Sequence, residues 1–291
     1  MNNTSFSGTG VALITPFKKD ESIDFDALKR LIDFNINNGI DYFIALGTTG
    51  ETATLSKDEK KEVYQFISQT VGGRKKIVAG IGGNNTKEIA SEIEKFDSKG
   101  YDAILSVSPY YNRPTQEGIY QHYKILSESS SLPIIIYNVP IRTGSNISAD
   151  TTLRLARLSE KFIAIKEASG VLSQVMQIEK NKPAHFSVIS GDDNLTLPMM
   201  SFGAIGVISV VAQALPKSFS SMVQLALQND FQKARVIHLQ LLDAMELFFK
   251  EGNPAGVKSA LKHLQICEDV VRLPLLAASK DLSDSIALCV K

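Results

Sequence analysis

Lys166 closes the run Phe162-Ile163-Ala164-Ile165-Lys166, and an amine at the end of such a run is the sequence's best candidate for a nucleophile. Side chains alternate faces along a strand, so Lys166 shares a side with Ala164 and opposes Ile163 and Ile165. Two bulky isoleucines suit a helix-covered exterior. That leaves Lys166 pointing inward, where burial disfavours the ammonium form and frees the amine to attack. The bland alternative is a strand-end lysine that snorkels to water or pairs with a carboxylate. Tyr137 ends a similar run, Ile134-Ile135-Ile136-Tyr137; its phenol could relay a proton during imine formation, or could be a core tyrosine with a hydrogen-bonded hydroxyl. In Gly47-Thr48-Thr49-Gly50-Glu51, glycines flank two threonines. Backbone N–H groups there can approach a carboxylate and the hydroxyls can extend a hydrogen-bond chain, unless the segment is only a tight turn. Arg142, shortly after Tyr137, could clamp a second carboxylate in bidentate fashion or serve in a loop salt bridge. Asp192 and Asp193 are adjacent on a strand end and point apart, which makes a poor acid pair.

Competing chemistries find less support. His122, His185, His238 and His263 lack metal-ligand spacing, so no metal is expected. Gly80-Ile81-Gly82-Gly83 is too incomplete for a dinucleotide fingerprint and no G-x-x-x-x-G-K occurs, so no nucleotide cofactor is expected either. Cys267 and Cys289 show no C-x-x-C spacing and read as reduced, buried thiols.

These residues need a scaffold that gathers strand ends. Short β-branched runs alternate with longer amphipathic ones, the pattern of strand, helix, strand around a parallel sheet. Eight strands are expected: Gly10–Thr15, Tyr42–Leu46, Lys76–Ile81, Ala103–Val107, Pro133–Tyr137, Phe162–Lys166, Ser187–Ser190 and Gly206–Val210. Ser56 with Glu59 makes a capping box; Asp24, Thr86, Thr115 and Ser148 are caps or near-caps, and Gly39 and Gly100 close two helices. The 291 residues then divide into a (β/α)8 TIM barrel over 1–228 and a helical appendage over 229–291. A doubly wound open sheet is the competing architecture. In the appendage Phe231, Ala234, Ile237, Leu241, Met245 and Phe248 keep helical spacing, Asn253-Pro254 starts another helix, and Leu282, Ile286 and Cys289 mark a last one. Its apolar faces serve either barrel packing or a subunit contact.

Composition narrows the partners. Hydrophobic residues are 44% and charged residues 21%, with 31 basic against 31 acidic side chains. No net field attracts nucleic acid or an anionic membrane. From Met1 to Gly10 there is no basic, apolar leader, and the weakly polar run Gly203 to Leu215 is too short to span a bilayer, so a cytoplasmic location is expected.

Six segments together resemble one family. Gly47-Thr48-Thr49-Gly50-Glu51, Tyr110-Tyr111-Asn112-Arg113-Pro114, Tyr137-Asn138-Val139-Pro140 with Arg142-Thr143-Gly144, Ile165-Lys166-Glu167-Ala168, Ser190-Gly191-Asp192-Asp193 and Gly206-Val207-Ile208-Ser209 look like the dihydrodipicolinate synthases, pyruvate-dependent class I aldolases. The likeness spans essentially the whole chain. It implies a Schiff-base lyase without a cofactor, joining pyruvate to L-aspartate 4-semialdehyde in lysine and diaminopimelate biosynthesis. It implies a role for Lys166 as the imine-forming amine, and for Tyr137 as proton donor and acceptor. Thr48 and Tyr111 match relay positions, the tyrosine reaching in from a neighbouring subunit of a homotetramer, a dimer of dimers. Thr49, the Ile208 backbone and Gly191 match the substrate site, and Arg142 the group that receives the semialdehyde carboxylate. Sialic acid lyases and keto-deoxy-sugar-acid aldolases share the lysine and tyrosine and are the alternative; a non-catalytic barrel would lack the lysine, tyrosine or threonine. Thr52, Ala53, Asn84, Glu88 and Tyr110 match a regulatory lysine site. Lys57 and Lys60 stand where sensitive members carry histidines, so an extra ammonium would repel lysine and weaken feedback inhibition.

Overall fold

The computed structural model describes residues 6–290; expectations for residues 1–5 and 291 lie outside the described residues. The chain runs β1 (Gly8–Ala12), α1 (Phe25–Asn37), β2 (Tyr42–Ala45), α2 (Lys57–Val71), β3 (Lys76–Gly80), α3 (Thr86–Lys95), β4 (Ala103–Val107) and α4 (Gln116–Ser129). It continues through β5 (Ile134–Asn138), α5 (Pro140–Thr143), α6 (Ala149–Leu158), β6 (Phe162–Glu167), α7 (Leu172–Asn181), β7 (Ser187–Ser190), α8 (Thr196–Ser201), β8 (Gly206–Ser209) and α9 (Pro216–Leu227). Helices α10 (Phe231–Leu247), α11 (Ala255–His263) and α12 (Lys280–Cys289) follow.

The eight strands form a closed parallel barrel in sequence order, a TIM barrel with a C-terminal helical region. Closure excludes the open doubly wound sheet. The seam joins Gly8–Val11 to Gly206–Ser209. At Gly206, φ is +150° and a Cβ would come 2.0 Å from the Gly8 carbonyl oxygen, so the seam closes only over glycine. One apolar cluster fills the barrel, with Ala12, Ile44, Val78, Leu105, Ile135, Ile189 and Ile208. The other lies between strands and helices and carries the opposite faces, Val11, Phe43, Ile77, Ile104, Ile136, Ile165, Val188 and Val207. Burial on both sides explains why the strands read as near-continuous apolar runs.

Most strand limits fall within one residue of expectation. β1 begins and ends earlier than expected, because the chain leaves the sheet after Ala12, where the Ile14 N–H turns to the Gln213 side chain at 2.9 Å. Asp24, Ser56, Thr115 and Ser148 all cap helices with their side chains, and Ser56 and Glu59 bond reciprocally. At α3 the cap is Asn85, not Thr86, and the helix ends at Lys95, well before Gly100, which turns the chain into β4 with φ +83°. Pro254 is itself the N-cap residue of α11. Cys267 is buried, its thiol pushed up to about 12 by burial, whereas Cys289 is only half-buried; neither is in a disulfide.

Candidate active site

Lys166 and Tyr137 meet at the C-terminal mouth of the barrel. They are direct register partners, with Ile189 beyond the lysine on β7. The Lys166 Nζ lies 4.4 Å from the Tyr137 ring centroid, and the two residues are 5% and 7% exposed.

The inward direction of Lys166 depends on an irregularity in β6. Ile134 aligns with Phe162 but Ile135 with Ala164, so Ile163 is an extra residue. Side chains level with each other on neighbouring parallel strands share a face. Without the extra residue Tyr137 would stand level with Ile165, and Lys166 would point at the helices. The expected exterior placement of Ile163 is therefore corrected: Ile163 and Ala164 both join the inner cluster, and only Ile165 joins the outer one. A bulge lets two successive side chains lean the same way.

Gly191 backs the lysine. A Cβ there would lie 3.0 Å from both Cγ and Cε of Lys166 and 2.9 Å from the Ala168 Cβ, so a larger residue would displace the stem. Ile208 lines the same inner cluster. Burial raises the Asp192 carboxyl, and the Lys166 ammonium opposes that rise. Asp193 turns away, its Oδ2 accepting from Val210 and Val211 N–H at 3.1 and 3.2 Å. Burial pushes it up to about 6.

Thr48–Gly50 form a single tight helical turn, closed by Glu51 in the left-handed region at φ +53°. Thr48 is exposed and Thr49 buried. The Thr49 Oγ1 accepts from Asn253 Nδ2 at 2.8 Å, and the Glu51 carboxylate accepts from Lys258 Nζ at 2.5 Å. Sequence reasoning missed Asn253 and Lys258 as neighbours of this turn. Asn253-Pro254 read only as a helix start, and no local spacing connects residues so far apart in the chain.

Arg142 is exposed on α5, in the loop after β5. Asn138 ties that loop down: its Nδ2 donates to both Glu167 carboxylate oxygens at 3.1 and 3.0 Å and to Asn146 at 2.8 Å, while its Oδ1 accepts from Ile147 N–H at 3.0 Å. Tyr111, after β4, is 89% exposed with φ +73°. Lys166, Tyr137, Gly191 and Ile208 are thus gathered at the barrel mouth, whereas Tyr111 and Arg142 occupy exposed loops.

Of the residues matched to a regulatory site, Asn84 and Tyr110 meet, the Asn84 Nδ2 donating to the Tyr110 carbonyl at 3.1 Å. The Thr52 hydroxyl donates to the Leu46 carbonyl at 2.8 Å, and Ala53 and Glu88 are exposed. Lys57 and Lys60 line, with Glu88, an open groove of about 1440 Å³ along α2 and α3. Among the described residues no group of three or more His, Cys, Asp or Glu could hold a metal ion, and no helix is long and apolar enough to cross a membrane.

The sequence matches the model of the Dihydrodipicolinate synthetase family over residues 5–291. A 4-hydroxy-tetrahydrodipicolinate synthase of Parabacteroides distasonis is 52% identical over 276 residues, covering 95% of this chain and 93% of that one. The crystal structure of dihydrodipicolinate synthase from Aquifex aeolicus superposes with a TM-score of 0.93 at 43% identity, covering 97% and 96%. The chloride-inhibited dihydrodipicolinate synthase of Acinetobacter baumannii, complexed with pyruvate, gives 0.94 at 37% identity, covering 97% of each chain. With its barrel, its strand-end lysine and tyrosine and this full-length match, the chain belongs to the Dihydrodipicolinate synthetase family.

Proposed function

We propose that this protein is a 4-hydroxy-tetrahydrodipicolinate synthase, a Schiff-base lyase that joins pyruvate to L-aspartate 4-semialdehyde. The observation that carries the reading is Lys166, buried against the Tyr137 ring at the mouth of the barrel. The identity to relatives of that name supports the choice of substrates.

In this reading the neutral Lys166 amine adds to the pyruvate ketone carbon. The ketone oxygen takes up protons and leaves as water, giving an imine. Tyr137 donates and recovers those protons, with Thr48 and Tyr111 extending the relay. Thr49 and the Ile208 backbone hold the pyruvate carboxylate, and Gly191 keeps the space beside the lysine open. Loss of a proton from the pyruvate methyl gives an enamine whose carbon attacks the aldehyde. The semialdehyde's amine then attacks the imine carbon, closing the ring and releasing Lys166. Arg142 receives the semialdehyde carboxylate in a bidentate pair. Tyr111, exposed in the single chain, acts at the site of a neighbouring subunit in a cytoplasmic homotetramer. Lys57 and Lys60 weaken lysine binding at the Thr52, Ala53, Asn84, Glu88 and Tyr110 site, so feedback inhibition is weak.

The assay is pyruvate with aspartate semialdehyde, coupled to a reductase that consumes the product. Turnover dependent on both substrates is expected. Activity only on keto-deoxy sugar acids would replace this reading with the aldolase alternative.

A further inference from the structure

The Gly47–Glu51 turn carries Thr48 and Thr49; the Thr15 hydroxyl holds its backbone, donating to the Gly50 carbonyl at 2.7 Å, and its Thr49 and Glu51 side chains are held from the C-terminal helical region. Glu51 and Lys258 have no exposed side-chain surface, and their ion pair is 2.5 Å long. The Lys258 Nζ also donates to the Val270 carbonyl at 2.7 Å and lies 4.2 Å from the Phe17 ring centroid. The other Glu51 oxygen accepts the Arg272 backbone N–H at 2.9 Å. The Arg272 guanidinium in turn reaches the Thr54 carbonyl at 3.0 Å and both Glu59 oxygens, at 3.0 and 2.5 Å. Asn253, 8% exposed, makes the second link, to the Thr49 hydroxyl.

A buried ion pair is an expensive way to hold a fold, since apolar side chains of similar volume often serve as well. Its advantage is geometric: two fixed donors, one on each oxygen, locate the carboxylate, and hence the left-handed residue that ends the turn. The Asn253 bond acts on the reactive side. Because the Thr49 oxygen accepts from the amide, the Thr49 hydrogen is free to donate elsewhere. We propose that Lys258 and Asn253 are positioning residues, through which the C-terminal helices hold the threonine turn in the geometry that binds the pyruvate carboxylate. Neither touches the reacting atoms in this account, and burial lowers the Lys258 ammonium only as far as its partner Glu51 allows. The proposal rests on the pyruvate-lyase reading above.

The test separates positioning from folding. In the double variant Lys258→Met with Glu51→Gln no charge is left buried, and the glutamine still accepts the Arg272 N–H. Borohydride trapping at Lys166 is measured against pyruvate concentration, alongside Tm. The half-saturating pyruvate concentration is expected to rise about tenfold or more, because small displacements of a binding group are costly. Tm is expected within about five degrees of the parent. A half-saturation equal to the parent's overturns the proposal. Should the double variant fail to fold, Asn253→Ala carries the same test: a several-fold rise is expected, and an unchanged value overturns it. A parent that forms no pyruvate adduct removes the lyase reading itself; a parent that traps normally beside equally competent variants removes only this inference.

Discussion

Two carboxyl groups follow β7, and their surroundings separate them. Asp192 shares the Lys166 environment, while Asp193 is buried against the N–H groups of Val210 and Val211, with its Oδ1 unpartnered. Burial raises Asp193 from an ordinary 3.8 to about 6. Between these values the folded chain keeps a proton that the unfolded chain releases, so this group's contribution to stability falls as pH rises from about 4 to 6. Asp193→Asn removes that titration and keeps an acceptor for the two N–H groups. The variant is expected to gain on the parent by up to about 3 kcal/mol across that window. Denaturant unfolding at pH 4 and pH 7 measures the gain, and an equal parent–variant difference at both would contradict it. At this scale Lys166 and Tyr137 were legible because each ends a short apolar run. Asn253 and Lys258 were not, since what matters is their contact with a turn some two hundred residues away.

The strands, more than the helices, set the site. Periodicity placed seven of the eight nearly as observed, since alternation is local and each strand is buried on both faces. The bulge at Ile163 was invisible to that reasoning. Register in β6 is imposed by β5, and Phe162-Ile163-Ala164-Ile165-Lys166 reads as a regular strand on its own. Lys166 faces inward with Ala164 and Ile165 faces the helices, as alternation expects, whereas Ile163 shares the inner face. Beyond the strands, the loop after β5 is fastened through Asn138 to Glu167, Asn146 and Ile147. Asn138→Ala is expected to cost about 2 kcal/mol, since it leaves a buried carboxylate and an N–H short of partners. Because the loop carries Arg142, the KM for the semialdehyde should rise more than the KM for pyruvate. Steady-state kinetics with each substrate varied in turn checks this, and equal changes in the two KM values would contradict it.

The whole molecule joins a barrel that gathers strand ends to a helical region whose Lys258, Arg272 and Asn253 reach back to the Thr48–Glu51 turn. The architecture was legible because eight repeated units each announce themselves in sequence. Tyr111 is 89% exposed on the loop after β4, and its proposed role at a neighbouring subunit's site rests on the resemblance to the family rather than on any local spacing. With 31 basic and 31 acidic side chains the chain carries no net charge, so recognition of small charged substrates falls to individual side chains. Among the described residues most other lysines are solvated or paired, so selectivity among lysines tests imine formation at Lys166. Borohydride reduction in the presence of pyruvate, followed by peptide mass spectrometry, should place a single irreversible adduct on Lys166 with loss of activity. No adduct, or one on a different lysine, would contradict Lys166 as the imine-forming amine.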